Sequence, residues 1–374
     1  MRVRGILAAV TVAASIPVFV TPAQAAFPTY RKVAEYDVGI GRVTAVDVDG
    51  HVLYAMSSRP VHGGGRLARF KLGTGGLLWR SKVSCPGWGP QVLGSFVFVQ
   101  GDMCSGGVGT FYAVRARDGE TAFTTEAHSG VIGGGAAYLS TFGDATNQSS
   151  GLVRAYDRKG HVLWETDLGG QMFTLRVVAA GDNTVYILDD LGVVALSQTD
   201  GSILWRRTFG SLEQFSDLHG IAADGTLLFS GQTPGSPGAG GESKPFTLAM
   251  SSSTGDIVWS SDGRLGDVAN GIEYETADSD LVDNDFLVAR SIVDGSVVWR
   301  ETAAYASGFT HPMVDAGLVW VRAGDDAGTP EFQVFDAADG SRLGRAPWKD
   351  IVGLEDGMVF VPRPGGRVVA FEPV

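Results

Sequence analysis

A glycine recurs at near-regular intervals along this chain, and the residue four positions later is tryptophan in five of seven copies. Successive copies are separated by 40 to 54 residues. A period of about 40–45 residues with strand-like flanks is the length of one four-stranded propeller blade, and it is too long for a leucine-rich repeat. The repeat therefore predicts a β-propeller. The copies are Gly75 to Trp79, Gly119 to Phe123, Gly160 to Trp164, Gly201 to Trp205, Gly255 to Trp259, Gly295 to Trp299 and Gly340 to Gly344.

The fourth copy shows what one repeat contains. Val193–Ser197 and Ser202–Phe209 are strand-like and flank a tight turn at Thr199–Gly201, so they predict a hairpin. Val177–Ala180 and Val185–Leu188 predict a second hairpin just before it. Two successive hairpins form a four-stranded meander, whose strands we label A to D from the axis outward. The repeated tryptophan then lies on strand D, at the rim of the blade.

The recurrent aromatic residues at the rim are expected to pack between blades. A tryptophan side chain buries roughly 150–250 Å², which at about 25 cal/mol per Å² is a gross gain of about 4–6 kcal/mol per copy before entropy. A periodic aromatic residue belongs to a core far more often than to a cofactor site. The residues given this docking role are Trp79, Phe123, Trp164, Trp205, Trp259 and Trp299.

The two ends of the sequence complement each other. Ile351–Glu355, Met358–Val361 and Arg367–Phe371 predict strands A, B and C of an eighth blade, with no strand D after them. Val33–Gly39 aligns with strand D of the third blade, with Ala34 in the tryptophan position. Pairing the two ends covers edges that would otherwise be open. We therefore predict an all-β, eight-bladed propeller of four-stranded antiparallel blades, closed by the N-terminal strand.

Composition agrees with an all-β chain. The 374 residues include 53 glycines, enough for frequent turns, and no segment has the apolar period of a long helix. Because the repeat runs almost from end to end, residues 27–374 are expected to form one domain.

The first 26 residues have the pattern of a secretory signal peptide. Arg2 and Arg4 precede an apolar run, Ile6–Val20, and residues 23–25 (AQA) resemble a cleavage site near Ala25. A retained membrane anchor is the alternative, but the run is short and is interrupted by Pro17. No cysteine follows the signal to accept a lipid. We expect a soluble protein secreted to the periplasm or the extracellular space.

The charge balance excludes two classes of partner. Lys and Arg number 29 against 41 Asp and Glu, a net charge of −12. Such a surface repels nucleic acid and anionic lipid.

The two cysteines, Cys85 and Cys104, are expected to form a disulfide. If the second blade turns at Gly94–Ser95, the register that pairs Leu93 with Phe96 also pairs the two cysteines. In an oxidising compartment such neighbours are oxidised, which stabilises by about 3 kcal/mol in the chain-entropy model. Two free buried thiols are the alternative, and no Cys/His/Asn constellation indicates a catalytic thiol.

The long connections are predicted to lie on one face of the ring. In a propeller the D-to-A and B-to-C connections share one face, and the A-to-B and C-to-D turns share the other. The long segments Arg59–Gly65, Asp102–Gly109, Gly143–Ser150 and Thr233–Pro245 are of the first kind. Loops that lengthen on one face are typical of a binding surface. For Thr233–Pro245, which has a flexible composition, a tolerated insertion explains the length equally well.

Polar and aromatic residues near this face are candidates for ligand contacts. Four of the six histidines map to it or to the starts of inner strands, and Trp88, Arg176 and Phe309 fall near the mouth of the central channel. Each taken singly is more often a structural residue. The candidate ligand-binding residues are Trp88, His128, Arg176, His219, Phe309 and His311, with His62 on the same face.

Other polar residues are assigned no site. His51 and His161 fall in turns of the opposite face. The sixth repeat has a dense acidic segment that could bind Ca²⁺ through carboxylate oxygens, but it lacks the glycine-centred order of a calcium loop, so a solvated turn is favoured. No hydrolase, zinc-protease or nucleotide-binding motif occurs in a convincing context. The acidic residues are Asp278, Asp280, Asp283 and Asp285.

One repeat unit resembles a known family. The pattern Ala-x₄-(Asp/Thr)-Gly-x₃-Trp is complete at Ala195–Trp205, Ala249–Trp259 and Ala289–Trp299, and it ends in Phe at Ala113–Phe123. It is similar to the pyrroloquinoline-quinone-type (PQQ-type) repeat and its tryptophan docking motif. The resemblance covers most of the chain after the signal peptide and implies a propeller.

Two kinds of relatives suggest different functions. Quinoprotein dehydrogenases of this fold use a bound quinone, a Ca²⁺ held by Glu, Asn and Asp, a catalytic Asp and commonly a disulfide between adjacent cysteines. This sequence has no adjacent cysteines, and no position matches the Glu/Asn/Asp set. BamB-type lipoproteins are non-enzymatic and bind protein partners, but this sequence lacks their lipidation cysteine.

These observations favour a binding or scaffolding module without a catalytic site or cofactor. It would present its loop-rich face to a protein, a peptide or a cell-surface glycan, and it is expected to be a monomer. The alternative is an alcohol or sugar oxidoreductase that depends on PQQ and Ca²⁺.

Overall fold

The computed structural model describes residues 27–59, 64–84, 86–101, 109–127, 129–142, 151–169, 175–181, 183–189, 192–209, 216–232, 245–277, 285–303, 312–324 and 330–374. Within these ranges the regular elements are all strands. They form eight four-stranded antiparallel sheets. The predicted all-β, eight-bladed propeller is therefore confirmed.

The first strand, β1 (Tyr30–Asp37), belongs to the last blade, and blades 1 to 4 each contain the next four strands in order A to D. Blade 1 contains β2 (Arg42–Asp49), β3 (Val52–Ser58), β4 (Gly64–Lys71) and β5 (Leu77–Ser84); blade 2 contains β6 (Pro86–Leu93), β7 (Phe96–Gly101), β8 (Thr110–Arg115) and β9 (Thr121–Glu126); blade 3 contains β10 (Ser129–Gly133), β11 (Ala136–Phe142), β12 (Gly151–Tyr156) and β13 (Val162–Asp167); blade 4 contains β14 (Arg176–Gly181), β15 (Thr184–Leu188), β16 (Gly192–Ser197) and β17 (Ile203–Thr208).

Blades 5 to 7 repeat this order, and blade 8 takes its strand D from the N-terminus. Blade 5 contains β18 (Ser216–Ala223), β19 (Thr226–Gln232), β20 (Pro245–Ser251) and β21 (Ile257–Ser261); blade 6 contains β22 (Gly263–Ala269), β23 (Ile272–Ala277), β24 (Asp285–Ser291) and β25 (Val297–Ala303); blade 7 contains β26 (Met313–Asp315), β27 (Leu318–Gly324), β28 (Pro330–Asp336) and β29 (Arg342–Ala346); blade 8 contains β30 (Gly353–Glu355), β31 (Met358–Arg363), β32 (Arg367–Pro373) and β1.

Blade 8 closes the ring as the sequence predicts. β1 pairs antiparallel with β32 from Tyr30 opposite Pro373 to Asp37 opposite Arg367. Ala34 lies opposite Ala370, just as each repeat tryptophan of blades 3 to 6 lies opposite an alanine of strand C. Ala34 therefore occupies the tryptophan position of its blade.

Each repeat tryptophan bonds to the blade that follows it. The Nε1–H of Trp164 donates to the carbonyl oxygen of Gln198, 2.9 Å away, in the C–D turn of blade 4. The other four tryptophans make the same bond across their own seams, where a seam is the contact between two adjacent blades. These bonds join Trp79 to Ala116 (2.8 Å), Trp205 to Ser252 (2.9 Å), Trp259 to Ile292 (3.1 Å) and Trp299 to Ala337 (3.0 Å).

The recurrent glycine lies against the aromatic ring of the preceding blade. Gly201 has a φ of 72°, and a Cβ there would lie 2.5 Å from Cε3 of Trp164. The left-handed backbone and the lack of space both require glycine. The glycine and the aromatic residue of the repeat are thus the two halves of one contact between successive blades. The same close approach and positive φ occur at Gly119, Gly160, Gly255, Gly295 and Gly340.

The aspartate that precedes this glycine in several copies shapes the same turn. Asp200 Oδ1 accepts hydrogen bonds from the N–H and the hydroxyl of Ser202. These bonds lower the pKa of the exposed Asp200 carboxyl. Asp294 and Asp339 cap the equivalent turns through the N–H groups of Ser296 and Ser341.

Phe27 replaces the missing tryptophan at the seam between blades 7 and 8. The repeat position in blade 7 is Gly344, opposite Val334. The Cβ of Phe27 lies 3.0 Å from where a Cβ on Gly344 would be. The Phe27 ring packs edge-on against Trp320, with 6.3 Å between ring centroids. The N-terminal segment thus fills a docking position that its own blade does not.

Tyr36 holds the seam between blades 8 and 1. It is fully buried, packs edge-on against Phe70 with 5.3 Å between ring centroids, and accepts a hydrogen bond from the N–H of Gly73 in the C–D turn of blade 1. Tyr36 lies two residues beyond Ala34, so the aromatic docking contact is retained at a shifted position.

The predicted register of the second blade is correct only near its turn. Leu93 pairs with Phe96 and Gln91 with Phe98, but two shifts then place Trp88 opposite Gln100 and Pro86 opposite Gly101. The strand β6 contains two more residues than its partner over this stretch, so the register no longer supports the pairing of Cys85 with Cys104. Both cysteines lie outside the described residues, and their disulfide stays a prediction.

We expect Gly201→Ala to destabilise the ring more than Gly271→Ala. The two glycines have φ values of 72° and 73°, but nothing lies within 4 Å of a Cβ at Gly271. Gly271→Ala should therefore cost only the backbone strain, about 1 kcal/mol. Gly201→Ala should cost a further ~1–3 kcal/mol, because the methyl group displaces the Trp164 ring. Chemical denaturation of the two variants measures the difference, and equal losses would contradict the docking contact.

Removal of residues 27–40 should lower the melting temperature of the whole protein, because it opens blade 8. Tyr36→Ala isolates the seam contact and should lower the free energy of unfolding by about 3–5 kcal/mol. Lys32→Ala on the same strand is the control, since Lys32 is exposed and loses only a surface ion pair with Glu35. A melting temperature unchanged by the deletion would show that the N-terminal strand does not close the ring.

Candidate functional site

The two faces of the ring differ in how their connections vary. Every A–B turn has two residues, and the seven C–D turns within blades 1 to 7 have five residues each. The D–A and B–C connections range from one residue to twelve. We call the side with the variable connections the loop-bearing face and the other the opposite face. The strand bounds confirm that the four long segments singled out in the sequence are B–C connections.

The uniform turns of the opposite face follow from the docking contact. In blades 2 to 7 the C–D turn places its glycine under the aromatic ring of the preceding blade, and in five of these six blades the first carbonyl oxygen of the turn accepts the indole N–H. An insertion would move both groups. The D–A and B–C connections lie on the other side of the ring from this contact, and their lengths vary from one residue to twelve.

The candidate ligand-binding residues are only partly described. Arg176 is the first residue of β14, Trp88 lies on β6 and His219 on β18. All three are therefore on inner strands, as the sequence suggests. His62, His128, Phe309, His311 and the side chains of Trp88 and His219 lie outside the described part, so their role in ligand binding stays a prediction.

Arg176 is presented on a rigid base that sequence reasoning missed. The Ser140 hydroxyl donates to the carbonyl oxygen of Leu175 (3.0 Å), and the Ser129 hydroxyl accepts from the N–H of Val177 (2.7 Å). The two hydroxyls are 2.7 Å apart and bond to each other. Blade 3 therefore holds the backbone on both sides of Arg176, whose side chain is exposed.

Another arginine of the loop-bearing face is already paired. Arg42 starts β2, the inner strand of blade 1, and forms an ion pair with Asp350, which precedes the inner strand of blade 8. This pair joins two blades across the closing seam. Of these two arginines, Arg42 is thus already engaged in an ion pair between blades.

Carboxylates gather at the other end of the inner strands, where they brace neighbouring blades. Each accepts a hydrogen bond from a backbone N–H of the next blade, and the sequence analysis did not identify them because the pairing is between blades. The bonds join Asp47 to Val92 (3.1 Å), Asp267 to Val314 (2.9 Å) and Asp315 to Gly357 (2.7 Å).

This acidic group perturbs the ionisation of its members. Burial raises the pKa of Asp47, partly offset by the hydrogen bond from Val92. Burial, followed by the charges of Asp356, Asp315 and Asp47, raises the pKa of Glu355. Asp47, Asp267 and Asp315 each bond to a backbone N–H of the next blade, which indicates a structural role for these three.

The histidines of the opposite face lie where the sequence places them. His51 is in the A–B turn of blade 1 and His161 in the C–D turn of blade 3. The Nδ1 of His161 lies 3.1 Å from Oδ2 of Asp157, whose Oδ1 also accepts the N–H of His161. His161 thus takes part in a turn cap.

Within the described ranges, no group of three or more His, Cys, Asp and Glu side chains is arranged to hold a metal ion. The same part of the chain contains no helix long and apolar enough to cross a membrane. Residues 1–26, including the predicted signal peptide, lie outside the described residues.

A family model matches most of the chain. The model is described as outer membrane protein assembly factor BamB, and it matches residues 63–223, 149–272 and 246–373 in overlapping segments. A search of curated protein sequences gives no match.

Solved structures from three bacteria are similar in fold. BamB from Moraxella catarrhalis is 17% identical with a TM-score of 0.62, covering 92% of this chain and 98% of its own. Quinohemoprotein alcohol dehydrogenase from Comamonas testosteroni is 12% identical with a TM-score of 0.59, covering 91% and 76%. AztD from Citrobacter koseri is 12% identical with a TM-score of 0.53, covering 89% and 90%. At these identities the likeness is one of fold.

Proposed function

Because this chain belongs to the family described as outer membrane protein assembly factor BamB, we propose that it is an exported, non-catalytic binding module. Its partner is a protein or peptide, or a cell-surface glycan, held on the loop-bearing face. Among these, a protein partner is favoured, since the family description names a factor for protein assembly.

The difference between the two faces carries this proposal. A ring with one face of constant turns and one face of variable connections keeps a rigid frame while changing what it presents. The D–A and B–C connections of the eight blades all join strand ends on the same side of the ring. Surfaces of this kind suit recognition of a macromolecule without any catalytic group.

Arg176 gives the surface a defined point of attachment. Its backbone is fixed by two serines of the neighbouring blade, so the guanidinium is presented with little loss of backbone entropy on binding. Arginine is enriched at the energetic centres of interfaces and pairs bidentately with carboxylates. We expect the partner to place an acidic group near Arg176, which a chain of net charge −12 would otherwise repel.

Export follows from the sequence in this proposal. Residues 1–26 have the charged, apolar and small-residue order of a signal peptide. The matched family description names a factor for the assembly of outer membrane proteins, which supports export. We therefore assign the protein to the periplasm or the extracellular space.

A quinoprotein oxidoreductase is the second candidate, and the likeness to quinohemoprotein alcohol dehydrogenase favours it. It would need PQQ and Ca²⁺ held by carboxylate and amide oxygens. Neither the repeat motif nor the described side chains supply a recognisable set of such ligands, so we place it second.

Photo-crosslinking from the two faces tests the binding module. Thr208→p-benzoylphenylalanine, expressed in the cell that makes the protein, should give a covalent adduct of higher mass that contains a second protein. Thr208 is exposed at the loop-bearing end of β17, in the same blade as Arg176, so this change leaves Arg176 in place. Arg117→p-benzoylphenylalanine is the control, because Arg117 is exposed in a C–D turn of the opposite face. We expect no adduct from position 117. Equal adducts from both positions would contradict binding on the loop-bearing face, and a glycan adduct at 208 would change the partner class.

Calorimetric titration with PQQ in the presence of Ca²⁺ separates the two functions. We expect no heat of binding and no reduction of an artificial electron acceptor with alcohols or sugars, because neither the repeat motif nor the described side chains supply a ligand set for the quinone. Calcium-dependent binding accompanied by dye reduction would instead establish the oxidoreductase.

A further inference from the structure

The seam between blades 5 and 6 differs in chemistry from the other seven. In each blade, two residues of strand B that are two positions apart face the preceding blade. In blade 6 they are Glu273 and Glu275, both fully buried. In the other blades both are apolar. The apolar pairs are Leu53 and Ala55, Val97 and Val99, Ala137 and Leu139, Val185 and Ile187, Leu227 and Phe229, Val319 and Val321, and Val359 and Val361.

Glu275 has a complete set of partners. Arg290 on β24 donates to its Oε1 from Nη2 (2.6 Å) and from Nε (3.2 Å), and Ser261 donates to its Oε2. The third nitrogen of Arg290, Nη1, donates to the carbonyl oxygen of Gly295 (2.7 Å). The guanidinium also lies over the Trp259 ring, 5.6 Å from its centroid. Glu275 and Arg290 therefore form a paired unit without net charge.

Glu273 has no such partner. Neither of its carboxyl oxygens makes a hydrogen bond, although both are buried. It lies opposite Arg290 in the strand register, but all three guanidinium nitrogens are bonded to Glu275 and Gly295. A buried carboxylate without a partner of its own is costly, and the usual outcome is that it binds a proton.

The elements packed around Glu273 bring no second positive charge. On β22, Val268 lies opposite Glu273 and Leu265 opposite Glu275, whereas Arg264 is opposite Thr276 on the other side of the sheet. Asp267 on the same strand points to blade 7, where it accepts a bond from Val314. Blade 5 faces the cluster with Leu228, Ala249, Trp259 and Ser261. Among the described residues, one arginine therefore serves two carboxyl groups.

We propose that Glu273 is a proton-binding site, which holds one proton at neutral pH and weakens the seam between blades 5 and 6 when that proton is lost to solvent. A bound metal cation is the less favoured occupant, because the adjacent guanidinium repels it. This inference is independent of the function proposed above.

The direction of the pH dependence follows from linkage. Burial, and then the Glu275 charge, raise the pKa of Glu273 well above its ordinary value of 4.5, with Arg290 acting in the opposite direction. A raised pKa in the folded state means that folding takes up a proton between pH 4.5 and the raised value. The stabilisation of the folded protein by protonated Glu273 is fully present below pH 4.5, and it is lost as the pH rises through the folded-state pKa of Glu273.

The test compares melting temperatures of the wild-type protein and Glu273→Gln from about pH 4 to about pH 9. Gln has nearly the same shape as Glu and cannot ionise. The melting temperature of Glu273→Gln should therefore increase relative to that of wild type as the pH rises, by at least about 2 °C at the upper end of the pH range. Glu165→Gln, an exposed change in blade 3, should not show this gain. In wild type at neutral pH, infrared spectroscopy should show a protonated carboxyl band that Glu273→Gln removes.

Repeating the comparison in the Glu275→Gln variant tests whether the pH effect depends on Glu273, Glu275 and Arg290 together. In Glu275→Gln, Glu273 becomes the only carboxylate available to Arg290, so adding Glu273→Gln there should destabilise at high pH instead of stabilising. An identical pH dependence in wild type and Glu273→Gln, with no protonated band, would overturn the proposal. So would stabilisation of wild type but not Glu273→Gln by Na⁺ or Ca²⁺, which would mean that a cation occupies the site.

Discussion

The contact between a glycine in one blade and an aromatic ring in the blade before it is the interaction on which this structure depends. The indole N–H of Trp164 bonds to Gln198, and the ring lies where a side chain at Gly201 would have to be. Each blade is a small sheet that could not bury its own faces. Repeating the contact around the ring joins the blades, and at the two seams that lack a repeat tryptophan, Phe27 and Tyr36 supply a different aromatic contact.

The same contact divides the molecule into a constant and a variable side. In blades 2 to 7 the five-residue C–D turn cannot change in length without moving the docked ring, whereas the D–A and B–C connections vary from one residue to twelve. This is the physical reason that binding is proposed on the loop-bearing face. The seam between blades 7 and 8 also depends on the N-terminal segment, because Phe27, Tyr30, Trp320 and Trp348 form one aromatic cluster there.

The fold could be predicted from the sequence because two residues of each repeat, the glycine and the aromatic residue four positions later, form the docking contact. The eight blades, the closure by the N-terminal strand and Ala34 in the tryptophan position all follow from that spacing. The register of β6 and β7 could not be predicted, since two bulges shift it beyond Gln91. The buried Glu273 and Glu275 were also missed, because an alternating Glu-Tyr-Glu strand is expected to expose its acidic face, and only the neighbouring blade buries it. For the candidate site, the sequence predicted only which face of the ring carries it. The hydrogen bonds that hold the Arg176 backbone come from Ser129 and Ser140 of another blade, so the sequence around Arg176 could not reveal them.

Hydrogen exchange of the backbone amides tests the closed ring most directly. Strand β1 is far from β32 in sequence but is hydrogen-bonded to it from Tyr30 to Asp37. If the eight seams form one cooperative unit, the amides of β1 that bond to β32 should exchange as slowly as those in the middle of blade 4, through global unfolding. Exchange in β1 that is orders of magnitude faster than in blade 4 would mean that the N-terminal strand detaches by itself. The stability of the ring would then not depend on the pairing of β1 with β32 in blade 8.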